Sequence, residues 1–323
     1  MFDVTAVGEL LIDFTPAGHS ARGHALYEQN PGGAPANVLA CLSRLGRRTA
    51  FIGKVGEDPF GYFLARVLTD AGVDCRSLKK TARCHTTLAF VHLDAQNDRS
   101  FSFYRDPGAD VFLSPDDVPG EIIGKSRFFH FGSVSLTAEP ARAATLFAVQ
   151  TAHQSSCIVS YDPNLRLMLW PAADEARQVA LSVMPDVALL KLSEDELFFL
   201  SGEADLQRGA EWFFQRWPLD LILITLGPGG AFAATRKVTA SHAAFAVNTI
   251  DTTGAGDAFM GAFIDCLLRI NRDLASLTAN ELGESLAFAN AAGSLATTRM
   301  GAIPSLPALA EIEQCLAECP LLQ

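Results

Sequence analysis

The sequence predicts an α/β fold in which a mostly parallel sheet carries helices on both faces. Three observations lead there. Short apolar runs alternate with stretches whose apolar residues recur every three or four positions, the pattern of buried strands separated by amphipathic helices. The 323 residues are 49% hydrophobic and 19% charged, which is ample for a large buried core. Polar and glycine-rich segments follow the apolar runs, at the strand ends where open parallel sheets gather their ligands.

Taken in order, residues 4–12 read as the first strand. No basic region precedes this apolar stretch, so it does not read as a secretion signal, and the cytoplasm is the expected compartment. Helical spacing over 34–46 and 60–72 brackets a strand at 49–55. Further strands are expected at 128–134, 157–162, 186–192 and 221–226, with helices at 139–154, 173–183 and 206–217 between them. Two regions break the alternation. Residues 83–113 hold two β-like runs around the turn sequence DAQND, and residues 13–31 are polar without helical period. Together they predict a small second sheet, suited to cover a ligand.

No apolar run approaches the ~18 residues that a spanning helix needs. The balance of 25 basic against 36 acidic side chains gives −11, which argues against nucleic acid or an anionic membrane as partner. Seven cysteines, an odd number placed mostly in apolar segments, argue against a disulfide framework.

The strongest chemical signal is DTTGAGDAFMGAF at 251–263. Gly254, Ala255 and Gly256 leave backbone N–H groups open at the start of an apolar helix, where the helix dipole favours an anion such as phosphate. Asp257 beside that site suits phosphoryl transfer, where a carboxylate aligns a hydroxyl and accepts its proton. Its bland counterpart is an ordinary Asp near a helix start. Sequence GKS at 124–126 mimics a P-loop end, but Pro119 replaces the first glycine and a strand follows. A second constellation is PGGAPANVLACLSRLG, 31–46, in which Gly32 and Gly33 lead into a helix carrying Asn37, an amide able to read a polyol. Asp13 ends the first strand region as a hydroxyl acceptor or a turn residue. Strand ends at 162–166, 191–194 and 226–230 add Arg166, Lys191 and further glycines.

Gly32-Gly33 with Asn37, then GKVGEDPFG at 53–61, then DTTGAGDAF at 251–259 resemble the paired signatures of the ribokinase-like (PfkB) carbohydrate kinase family over nearly the whole chain. FYRDPGAD (103–110), FGSVSL (131–136) and YDPNLRLMLW (161–170) resemble its fructokinase members in particular. The resemblance implies a single three-layer α/β/α domain over 1–323, with a β-lid inserted from about 13–31 and 83–113. It also implies transfer from ATP to fructose, giving fructose 6-phosphate.

By the same resemblance, Asp257 matches the catalytic base and Gly254, Ala255 and Gly256 the anion hole. Asp13, Gly32, Gly33, Asn37, Arg105 and Arg166 match sugar-contacting positions, with Tyr104 beside them. Thr225, Gly227, Gly230 and Asn290 match nucleotide positions. Lys191 stands where the broader family has Asn in an Asn-x-x-Glu motif, as fructokinase-like members do, and Glu194 is retained, acting on Mg²⁺ through its water shell. Asp251, Thr253, Ala296, Arg299, Gly301 and Ser305 match loops that hold a monovalent cation, so K⁺ is expected alongside ATP and Mg²⁺. Lid pairing implies a homodimer.

Arg105 and Arg166 would also suit a sugar acid, because Arg binds carboxylates bidentately. The alternative acceptor is therefore 2-keto-3-deoxygluconate, followed by another furanose or a nucleoside. A different class is a non-catalytic, sugar-sensing protein that kept the fold; it would have no need of Asp257.

Overall fold

The computed structural model describes residues 1–93 and 99–322. Strand β1 (Phe2–Val7) is followed by β2 (Leu11–His19), β3 (Ala25–Gly32), α1 (Ala34–Arg44), β4 (Thr49–Gly56), α2 (Pro59–Asp70) and β5 (Asp74–Thr81). Next come β6 (Leu88–Leu93), β7 (Arg99–Tyr104), α3 (Gly120–Ile123), β8 (Ser126–Phe131), α4 (Ala141–Gln154) and β9 (Ile158–Tyr161). Then follow α5 (Ala173–Ser182), β10 (Leu189–Ser193), α6 (Glu194–Ser201), α7 (Leu206–Phe214), β11 (Leu221–Thr225), β12 (Ala231–Ala234) and β13 (Thr239–His242). Helices α8 (Ala255–Ile270), α9 (Ala279–Ala296) and α10 (Leu309–Glu318) close the chain.

Among the described residues the large sheet has nine strands in the order β13-β12-β11-β10-β9-β8-β1-β4-β5. Its pairings are parallel except at β11–β12 and β12–β13. Two apolar layers sandwich it. Along β11, Leu221 and Leu223 join the layer formed with α1, α2, α8, α9 and α10, while Ile222 and Ile224 join the layer formed with α4 to α7. Successive side chains on a strand point to opposite faces, so a strand buried on both faces must be apolar at every position. That is why these strands read as unbroken apolar runs. No described helix is long and apolar enough to cross a membrane.

A smaller sheet, in the order β3-β2-β6-β7, stands apart from the large one. The sequence misreads its entrance. The run 4–12 is not one strand: β1 ends at Val7, residues 8–10 carry the chain across, and β2 begins at Leu11 in the other sheet. Both halves are apolar because both are buried, so composition hides the change of sheet. Residues 13–31, expected to contribute to the second sheet, form most of β2 and β3, paired antiparallel around a turn in which Gly23 N–H donates to Ser20 O. Residues 25–29 of β3 are exposed on both faces, which removes the alternation that would have revealed a strand. The expected turn DAQND lies outside the described residues. Two other segments are shorter than expected: β8 stops at Phe131, with a 3₁₀ turn at Val134–Leu136, and α7 stops at Phe214.

Candidate active site

The chemistry-bearing side chains meet just beyond β1, β9 and β10, at the first turns of α1 and α8. Gly33 precedes α1 with φ 122°, and a Cβ there would stand 2.4 Å from the Glu9 carbonyl oxygen. A residue with a side chain could not follow that path. Pro35 then occupies the start of α1, where its missing N–H costs nothing. One turn in, Asn37 Nδ2 donates to Asp257 Oδ2 at 2.7 Å, tying the first turn of α1 to the first turn of α8.

Helix α8 begins at Gly254, held at φ 78° against Ala302. Ala255 N–H donates to Thr252 O at 3.3 Å, and Gly254 and Gly256 line the site at the positive end of the helix dipole. A Cβ on Gly256 would lie 3.4 Å from Lys191 Nζ, so the ammonium stands beside Gly256. Lys191 is buried and paired to Asp162 Oδ2 at 2.7 Å. Burial works against its charge, but the Asp162 and Glu196 carboxylates outweigh that and hold it above the usual lysine range. Burial pushes Asp257 up to about 6, against the opposing pull of the Asn37 hydrogen bond, Lys191 and Arg166. Asp13, half-buried, is pushed up to about 7 by its desolvation, with Arg166 opposing.

Two cavities meet at Thr252 and Gly256, at the start of α8. The larger, about 560 Å³, is lined by Asp13, Gly33, Asn37, Arg166, Lys191 and Asp257 among others. The smaller, about 270 Å³, is lined by Thr225, Gly227, Gly230, Ala255, Gly256 and Asn290 among others. Thr252 and Gly256 belong to both walls. Gly230, at φ 92°, leaves no room for a Cβ against the His242 carbonyl, and Asn290 Nδ2 donates to that carbonyl at 2.8 Å. Asn290 thus shapes the smaller cavity partly by fixing its backbone.

Asp251 ties two loops together. Its Oδ1 accepts from Thr253 N at 2.9 Å and its Oδ2 from Gly301 N at 2.9 Å, while Thr297 O accepts from Ile250 and Asp251 N. Ala296 ends α9 beside this junction and Ser305 Oγ donates to Ala302 O. The Arg299 side chain pairs with Glu311, so at that position the backbone is what is left for a cation.

Three expected sugar positions, Tyr104, Arg105 and Gly32, are not on the lining of the larger cavity. Tyr104 is 66% exposed and packs edge-on against Phe90, whereas its neighbour Phe103 lines the larger cavity. Adjacent strand residues face opposite ways, and the sequence offered no means to choose between them. Arg105 Nε pairs with Asp110 at 2.7 Å, Nη1 donates to Thr137 Oγ1 and Nη2 to Val134 O, so the guanidinium is enclosed away from the cavity lining. Gly32 lies against the Asp13 carboxylate and needs its missing Cβ for that reason. Glu194 is exposed at the start of α6, while Glu196 there is half-buried and accepts from Leu165 N and Ser193 N. Sequence reasoning missed Glu196, Asp162 as the partner of Lys191, and Glu9, which lines the larger cavity. Burial pushes Glu9 up to about 7.

Residues 1–309 match the model of the pfkB family of carbohydrate kinases. The chain is 44% identical to "Fructokinase-1" of Zea mays over 316 residues, covering 97% of each. It is similar to the crystal structure of a fructokinase with bound ATP from Xylella fastidiosa, with TM-score 0.90, 32% identity, and coverage of 98% of this chain and 99% of that one. It is also similar to a double mutant of the fructokinase from Vibrio cholerae O395 in its fructose, ADP and potassium ion bound form, with TM-score 0.87, 34% identity and 98% of each chain covered.

Proposed function

The chain belongs to the pfkB family of carbohydrate kinases and is a sugar phosphotransferase acting on a hydroxyl; from that premise we propose that its acceptor is fructose and its donor ATP. One observation carries the reading: a buried carboxyl, Asp257, held by Asn37 on the wall of the larger cavity and next to Gly256, which lines both cavities. Relatives named fructokinase, 44% and 42% identical over almost their full lengths, support fructose.

In this reading the larger cavity holds the sugar through Asp13, Gly33, Asn37 and Arg166, and the smaller holds the nucleotide along Thr225, Gly227, Gly230 and Asn290. Asp257 accepts the proton of the attacking hydroxyl as the new O–P bond forms and the bond to the ADP leaving oxygen breaks. The 254–256 amides and Lys191 receive the negative charge of the transferred group, already oriented before reaction. Glu194, exposed at the end of β10, suits a hydrated Mg²⁺, which when bound supplies neutralisation of the phosphate charge. The loops joined by Asp251 suit a K⁺ held by backbone carbonyls. The exposed Leu26, Tyr27 and Tyr104 of the small sheet suit a second copy of the chain, giving a homodimer.

Arg166 on the cavity wall favours a second reading, 2-keto-3-deoxygluconate as acceptor. The enclosure of Arg105 by Asp110 weakens it, because one of the two cations available to a carboxylate is already engaged. ADP release measured with fructose, 2-keto-3-deoxygluconate, ribose and adenosine decides. Fructose is expected to give the highest kcat/KM; a value orders of magnitude below another acceptor would overturn the assignment.

A further inference from the structure

Glu9 is a buried acid that the transfer scheme leaves unused. It lies where the chain crosses from β1 to β2 and is 3% exposed. Its Oε1 accepts the N–H of Ala34, the first residue of α1, at 2.8 Å. Its Oε2 is buried, has no hydrogen-bond partner among the described residues, and belongs to a side chain lining the larger cavity. A buried carboxyl oxygen left unbonded is costly, so its retention calls for a ligand.

Neighbouring charges do not satisfy it. Arg105 is turned to Asp110, Thr137 and Val134, and Asp110 accepts from both Arg105 and Thr87. That network closes on itself. The bond to Ala34 occupies one oxygen, which leaves the second without a partner on a side chain that lines the larger cavity. The charges acting on Glu9 are Asp110 and Arg105, whereas those acting on Asp257 are Asp162, Lys191 and Arg166, so the two acids sit in different surroundings.

We propose that Glu9 Oε2 receives a hydroxyl of the acceptor sugar, other than the one being phosphorylated, and so is a specificity-determining residue. This rests on the reading of the larger cavity as the sugar site. A charge-assisted bond from a sugar hydroxyl to a carboxylate discriminates strongly against an analogue lacking that hydroxyl, because the buried oxygen is then left unpaired.

The test is a cycle between Glu9→Gln and mono-deoxy analogues of the sugar, the transferring hydroxyl excepted, with kcat and both KM values measured. Glu9→Gln is expected to raise the sugar KM about tenfold and leave the ATP KM within about twofold. One analogue should lose at least about fivefold in kcat/KM on the wild type and lose nothing further on the variant. A variant that weakens every analogue by the same factor has lost only support for α1, and that result overturns the proposal. If Glu9→Gln does not fold, Glu9→Asp, which withdraws the carboxylate by one methylene, goes through the same cycle with the same two outcomes. Wild-type turnover of fructose is read separately. If fructose is not turned over, the fructose assignment fails, and the cycle run on the best acceptor of the panel still decides the role of Glu9.

Discussion

Replacing Asp257 by Asn separates chemistry from folding, because the two effects should have opposite signs. The amide keeps the shape of the carboxylate and can turn its oxygen toward Asn37 Nδ2, preserving the 2.7 Å contact between α1 and α8. What it then presents to the substrate is an NH₂ group, which cannot take a proton, so kcat should fall by about 10²–10⁴ with the ATP KM little changed. Stability should move the other way. The carboxyl titrates near 3.8 in the unfolded chain and about 6 in the fold, so the folded state holds its proton more tightly. Ionisation therefore costs stability progressively as pH rises from about 4 to about 6, reaching about 3 kcal/mol above that window at 1.36 kcal/mol per pH unit. The Asn variant does not titrate. It should match the wild type near pH 4 and melt several degrees higher at pH 8, as expected where activity and stability conflict. Single-turnover kinetics and thermal melts at the two pH values read both effects. Turnover within about fivefold of wild type, or a lower melting temperature at pH 8, would refute the reasoning.

Two further outcomes follow from the same geometry. Arg105→Ala should destabilise the protein by about 3–5 kcal/mol, since it leaves the Asp110 carboxylate buried without its 2.7 Å partner, and should raise the sugar KM more than the ATP KM as β7 loosens; an unchanged melting temperature in calorimetry would contradict this. Exchange of K⁺ for tetramethylammonium should lower kcat several-fold in the wild type but not in Asp251→Asn, whose loops are already loosened; equal rates of the wild type in both salts would count against the cation site.

The parts of the site that could be read in advance are those in which sequence dictates backbone. The stretch from Asp251 to Phe259 is legible because small residues, a left-handed Gly254 and an acid in the first helical turn are local requirements. Gly33 and Asn37 are legible for the same reason. Glu9 was not, since one acid in an apolar run acquires meaning only when the chain is seen to leave one sheet for another at that residue. Arg105 and Tyr104 are absent from the lining of the larger cavity, and motif position does not tell which way a side chain points at the end of a strand. The pairing of Lys191 with Asp162 joins residues 29 apart in sequence, from two adjacent strands, and no local pattern announces it. Fold class was easier than strand count: β13 and β5 are half-exposed edge strands of polar composition, and β12, though buried, is only four residues long.

Because Thr252 and Gly256 form the shared partition between the two cavities, the remaining walls are separable. One wall comes from β2, β7, the start of α1 and residues 164–168, the other from β11, the 244–249 segment and α9. With the sugar in the larger cavity, as proposed above, a lineage can exchange one acceptor for another by rewriting the first wall while inheriting the second intact. Changes at the partition itself have no such freedom, since each must be tolerated by both occupants at once.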